Sequence, residues 1–229
     1  MAPATPVFTR ETFRFFKDLG RNNRTAWMNE NRERYKAAIV QPFRRLLEEL
    51  SPVILELDSR FEVSGRTGSN FSRINRDIRF AKDKTPYRTQ MYLTFSIPVP
   101  GGEESGQLYA GISTNTVTAG FRIYVGGKRK DSSLARIGEA RVRAKPGQVA
   151  KQKERLGRRY ESYWYAKEKG EWTKRPGWPT AVDDWEKILG WVVRRKLSPV
   201  AATRASFPRE VARIFRDLFP VLRFTTLPD

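Results

Sequence analysis

Gln90-Met91-Tyr92-Leu93-Thr94-Phe95-Ser96-Ile97 is the stretch on which the fold turns. Met91, Leu93, Phe95 and Ile97 alternate with Gln90, Tyr92, Thr94 and Ser96, a period of two that puts one row of side chains on a core and the other on the opposite face of a sheet. Upstream the period is helical. Thr9 caps a first helix that runs to Leu19 and stops at Gly20, with Phe13, Phe16 and Leu19 as its apolar stripe. A second helix is expected after a Thr25 cap, with Trp27, Met28, Tyr35 and Ile39 near helical spacing. Pro42 opens a third, in which Phe43, Leu46, Leu47, Leu50, Ile54 and Leu57 recur at three and four residues. Ser51-Pro52 reads as a kink and restart within it.

Downstream, after a Pro/Gly-rich loop from Pro98 to Gly106, the alternation resumes in Leu108, Ala110 and Ile112. It returns in Val117, Ala119, Phe121, Ile123 and Val125, with Asn115 at the turn between the two runs. Together with residues 90–97 they predict an antiparallel meander. Beyond Gly126-Gly127 the pattern becomes helical again: Leu134 and Ile137 follow an Asp131 cap, and Val149 and Leu156 mark a second basic helix. Thr180 with Asp183 resembles a capping box before Val182, Trp185 and Leu189, and a last helix carries Val211, Ile214, Phe215, Leu218 and Phe219. The expected class is α+β, with N-terminal helices packed on the meander and further helices in the C-terminal half. Residues 1–7 read as a loose tail and 8–229 as one domain, with 126–130 the place for any subdivision.

The 229 residues contain no Cys and no His, which removes disulfides, the usual zinc, haem and iron-sulfur ligands, the Ser-His-Asp triad and any imidazole base. Catalysis would have to use carboxylates, Lys, Tyr, Ser/Thr or an oxygen-ligated ion such as magnesium. Neither a signal peptide nor a membrane span is legible, so the cytoplasm is the expected location. The net charge of +19 is concentrated in residues 66–90, 128–159 and 191–223, the remainder being close to neutral. Such clustering suits a phosphate-rich or otherwise anionic partner, nucleic acid included. It is also what an Arg-rich composition on solvated helix faces would give.

The stretch unlike ordinary scaffold is Arg73-Ile74-Asn75-Arg76-Asp77-Ile78-Arg79-Phe80-Ala81-Lys82-Asp83-Lys84-Thr85-Pro86-Tyr87-Arg88. If residues 73–80 are extended, Ile74, Arg76, Ile78 and Phe80 share one face, and Arg76 needs a carboxylate such as Asp77 or Asp83. Arg73 and Arg79 on the other face are forked donors suited to a phosphate or carboxylate. Lys82, Lys84 and Arg88 add to the surplus of cations. Asn22-Asn23, Trp27, Tyr35 and Pro42, followed by the run from Arg73 to Tyr87, resemble a family of bacterial and fungal proteins that share domain of unknown function 2461. The resemblance spans residues 8–97, with Ala81 standing where it places a Ser. It implies a cytoplasmic α+β fold and imports no activity.

Three readings of function stand at this point. The first is an anion-binding module in which Arg73, Arg76, Arg79, Lys82, Lys84 and Arg88 hold a nucleotide, nucleic acid or phosphorylated metabolite, without a cofactor. The second is an enzyme acting on a phosphorylated substrate, with Asp77, Asp83 and Tyr87 as catalytic candidates or the two Asp residues as magnesium ligands. The third is a structural or interaction protein in which the run is a salt-bridge clamp. Trp164, Trp172 and Trp178 among Lys residues can stack on single-stranded bases or form an aromatic satellite core. Gly126-Gly127-Lys128-Arg129-Lys130 reads as a basic hairpin end or a phosphate nest, and Asn22-Asn23-Arg24 as a capping loop or an anion site.

Overall fold

The computed structural model describes residues 5–98, 106–125, 133–168 and 171–227. The chain opens with α1 (Arg10–Arg21), capped by Thr9, whose hydroxyl accepts from the Glu11 N–H at 3.2 Å. Ahead of it, residues 5–7 are not a loose tail. Val7 is buried, and the Arg45 guanidinium donates to the Thr5 and Pro6 carbonyls.

The expected second and third helices are joined differently. A short α2 (Thr25–Glu30) is followed by α3 (Arg32–Tyr35), a π turn (Lys36–Val40) and α4 (Gln41–Leu57), the last three running on without a break in helical backbone. The proline ring of residue 42 would meet the carbonyl four residues back in a regular α-helix, and the wider π turn relieves that clash. Pro42 thus sits in the first turn of α4, as expected, although that helix continues from the π turn instead of starting afresh. Ser51-Pro52 produces no restart either, Ser51 donating its hydroxyl to the Leu47 carbonyl inside α4.

β1 (Gln90–Phe95), β2 (Gln107–Ser113) and β3 (Val117–Tyr124) form the expected antiparallel meander, with Leu93 opposite Ala110 and Ala110 opposite Ala119. Next come α5 (Ser133–Ala144) and α6 (Gln148–Leu156); the expected Asp131 cap and the Gly126–Lys130 segment lie outside the described residues. The C-terminal half then departs from the expectation of helices alone. It supplies three more strands, β4 (Glu161–Glu168), β5 (Glu171–Pro176) and β6 (Ile188–Leu197), extending the sheet in the order β1-β2-β3-β6-β4-β5 with every pair antiparallel. Short α7 (Val182–Trp185) and α8 (Pro199–Ala202) flank β6, and α9 (Phe207–Thr226) ends the described chain. The capping contact at α7 is one residue later than expected, the Asp184 carboxylate accepting from the Ala181 N–H.

Helices cover one face of this sheet. Phe215 of α9 meets Phe95 edge-on at 5.9 Å, and Phe8 bridges Phe43 of α4 and Phe207 of α9. Trp191 of β6 lies at the centre, its ring within 5.3–5.7 Å of the Phe121, Trp178 and Trp185 rings. Trp164 is buried on the same side, so that Trp164, Trp178, Trp185 and Trp191 belong to the core and only Trp172 is exposed.

Candidate functional site

Residues 58–89, between α4 and β1, contain no helix or strand. A connection of this length inside a packed molecule is uncommon without a role of its own. Side-chain amides hold it in place. Asn70, fully buried, accepts from the Gly65 N–H and donates to the Glu62 and Thr94 carbonyls, and Phe71 bridges to Leu93 at the free edge of β1. Asn23, in the loop between α1 and α2, accepts from the Tyr87 N–H at 3.0 Å and donates to the Tyr87 carbonyl at 2.8 Å. Asn23 thus reproduces a strand's pairing for one residue of the motif, while the expected capping role falls to Asn22, which ends α1 and donates to the Asp18 carbonyl at 3.0 Å.

The motif folds back on itself. The Arg76 N–H donates to the Pro86 carbonyl and the Arg88 N–H to the Ile74 carbonyl, each at 2.8 Å, so residues 74–76 lie beside 86–88. The extended-face reading holds as far as Arg79, with Ile74 buried and Arg76 and Ile78 half-buried between exposed Arg73, Asn75, Asp77 and Arg79, and fails at Phe80, which is 95% exposed. Arg76 pairs with Asp83 at 2.5 Å and donates to the Thr85 carbonyl and hydroxyl. Both oxygens of Asp83 are engaged, by the Thr85 N–H, the Thr85 hydroxyl and Arg76, and these bonds hold its carboxyl down at about 2. Asp77 accepts from the Arg79 side chain and from the Arg79 N–H, and these bonds hold its carboxyl below the ordinary carboxylate pKa as well. Lys84 donates to the Ile78 and Arg79 carbonyls and closes the tip.

These contacts bear directly on the catalytic candidates. A general base needs a lone pair free to take a proton and a pKa near the working pH. Asp77 and Asp83 each accept three bonds and have a pKa below the ordinary carboxylate value, away from that range. Among the described residues no three His, Cys, Asp or Glu side chains converge as metal ligands. Tyr87 is buried and lies between two clefts. The clamp reading also moves: the Asp77–Arg79 pair is exposed on both sides, 62% and 77%, so Asp77→Asn strands no buried Arg and should shift the melting temperature by no more than about 1–2 °C. A loss of several degrees by scanning calorimetry would show that this pair is structural.

What the motif builds is a wall. On one side of residues 72–75 is a cleft of about 490 Å³ lined by Met28, Arg32, Tyr35, Val40, Arg44, Thr67, Phe71, Ser72, Arg73, Ile74, Asn75, Tyr87 and Met91. Three guanidinium groups line it and no carboxylate does. Arg32 donates to Asn29 at 3.0 Å, while neither Arg44 nor Arg73 makes an ion pair or hydrogen bond with another described side chain. Burial pushes the Tyr35 phenol above its ordinary value, the nearby Arg32 opposing, so it stays a neutral donor at physiological pH. The π turn contributes to this convergence. At about 100° per residue, twelve residues of α-helix would put Arg44 some 120° around the axis from Arg32; a π turn absorbs about one residue and brings the two back to roughly one face.

On the other side, Arg76, Asp83, Thr85, Tyr87 and Arg88 line a shallower depression with Gly20 and Asn23. Of the cations expected to converge, only Arg73 enters the first cleft. Arg76 and Arg88 face the second, Arg79 is ion-paired at the tip, Lys84 is engaged by carbonyls, and Lys82 is exposed there with no described partner. Arg32 and Arg44 were missed because they sit on helix faces, where an Arg ordinarily signals only solvent.

The chain belongs to the family described as conserved hypothetical protein DUF2461, whose model matches residues 11–224. That match takes in the meander, the added strands and most of α9 as well as the motif. No curated protein matches the chain. Among the described residues no helix is long and apolar enough to cross a membrane.

Proposed function

We propose that the protein is an anion-binding module whose ligand is a small organic phosphate, held in the cleft between α3–α4 and residues 71–75. The observation that carries this reading is the set of three guanidinium groups lining one cleft without a carboxylate among its walls. Guanidinium groups keep their charge at any physiological pH, and their forked donors match a phosphate in bidentate fashion. Arg73 and Arg44 are the principal clamps, Arg32 the third, with Ser72, Asn75 and Tyr35 as neutral partners. Met28, Val40, Phe71 and Met91 supply an apolar wall for the organic part of the ligand. The rest of the motif is the frame: Arg76, Asp83, Thr85 and Lys84 fix the loop that presents Arg73.

Thermal shift with pyrophosphate and nucleoside phosphates tests this. A ligand at 100 times its dissociation constant raises the stability of the wild type by about 2.7 kcal/mol. The Arg73→Ala protein should lose that shift, while Arg79→Ala, altered at the ion-paired tip, should keep it. An equal response from wild type and Arg73→Ala would contradict the assignment.

A further inference from the structure

The two faces of the sheet are chemically unlike. Helices α4 and α9 cover the side that carries Leu93, Phe95, Leu108 and Phe121. On the other side the apolar cluster is made of strand residues alone: Tyr109, Tyr163 and Val192, with Tyr92 and Tyr165 against them. Strand alternation puts Tyr124 and Trp172 on that face too, and their rings lie 6.4 and 5.9 Å from Tyr165. Aromatic rings from β1, β2, β3, β4 and β5 thus pave one continuous surface.

Glycines let these rings lie down. Tyr92 stands opposite Gly111 and Tyr124 opposite Gly190 in register, and a Cβ at either glycine would fall 2.4 or 2.7 Å from the ring. A ring resting on glycine keeps its other π face turned away from the sheet; Tyr124 is 46% exposed and Trp172 53%. Cations are interleaved with the rings. Arg122 lies 4.9 Å from both the Tyr92 and Tyr109 centroids, and Arg194 and Lys174 lie 5.0 and 3.9 Å from Tyr163. Glu161 is shared by Arg194 and Lys196, while Arg122 and Lys174 have no carboxylate partner among the described residues.

We propose that this face binds single-stranded nucleic acid, with bases stacked on Tyr124, Tyr165 and Trp172 and phosphates met by Arg122, Lys174, Arg194 and Lys196. Stacking platforms joined to a net positive surface suit a strand whose bases are unpaired. Six strands at about 4.8 Å span roughly 24 Å, too broad for the face to insert into a major groove of about 12 Å, whereas unpaired bases can lie on it.

Fluorescence anisotropy of labelled oligo-dT of about 15 nucleotides tests the proposal. Wild type should bind, with affinity that falls as salt rises. Trp172→Ala and Tyr124→Ala should each weaken binding about ten-fold with unchanged circular dichroism, and Tyr124→Phe, which keeps its ring, should not. The Arg44→Ala/Arg73→Ala double variant should bind oligo-dT as wild type does, which separates this surface from the cleft. No binding by wild type, equal affinity in the alanine variants, or equal affinity for a duplex of the same length would each overturn it.

Discussion

An Asn70→Ala protein is expected to unfold about 3 kcal/mol more easily than wild type, a fall in melting temperature of roughly 6–12 °C for a chain of this size. The side chain is fully buried and serves three backbone groups: the Gly65 N–H at 2.9 Å, the Glu62 carbonyl at 2.7 Å and the Thr94 carbonyl at 3.0 Å. Alanine leaves all three without that partner in a space too small to hydrate them fully, so the cost is desolvation as well as lost bonding. Asn70→Asp should be no milder, because it turns the two donated bonds into a carboxylate facing carbonyl oxygens. The effect should reach the cleft. Phe71 and Ser72 follow Asn70 along the edge of β1, the Ser72 N–H donating to the Tyr92 carbonyl at 3.0 Å, and Arg73 comes next. Chemical denaturation checks the first part; a melting temperature within 2 °C of wild type would contradict the pin.

Gly120→Ala should cost a similar amount, about 3 kcal/mol, for a different reason. Gly120 sits in β3 opposite Arg194 of β6, and a Cβ there would fall 2.3 Å from the Val193 carbonyl oxygen and 2.8 Å from the Arg194 Cα. Both obstacles are backbone, so relief requires the two central strands to part. Gly111→Ala in the neighbouring strand meets side chains rather than backbone, the Tyr92 ring and, at 3.2 Å, the Thr118 hydroxyl, both of which can shift, and should cost about 1 kcal/mol. Urea denaturation of the pair reads the difference; equal costs would mean that the strands separate as readily as a ring rotates.

The first three strands were legible because each buries one face and leaves the other half polar, as Met91, Leu93 and Phe95 do against Gln90, Tyr92 and Thr94. β4 and β6 gave no such signal. Tyr163 and Tyr165 point to one face while Trp164 and Ala166 point to the other, and Ile188–Val193 is buried throughout, so no period of two survives. The candidate site was legible in its chemistry and not in its geometry. A surplus of Arg in residues 73–88 could be counted, but which cations the local acids occupy depended on turns that only folding sets: Asp77 takes Arg79 two residues on, and Asp83 takes Arg76 seven residues back. Arg44 comes round to the face of Arg32, and so to the cleft of Arg73, through a π turn that no hydrophobic pattern announces.

Frame and clamp are therefore made of different side chains. Asn23, Asn70, Arg76, Asp83 and Thr85 spend their bonding on the protein, and Arg73 and Arg44 make no hydrogen bond or ion pair with another described side chain. The most direct test is the NMR spectrum of the arginine Nε–H groups during titration with pyrophosphate, assigned by single Arg→Lys variants. The resonances of Arg32, Arg44 and Arg73 should move together and saturate while those of Arg76 and Arg79 stay in place. Shifts confined to Arg76, Arg79 or the basic helices, with the cleft arginines unmoved, would contradict the account.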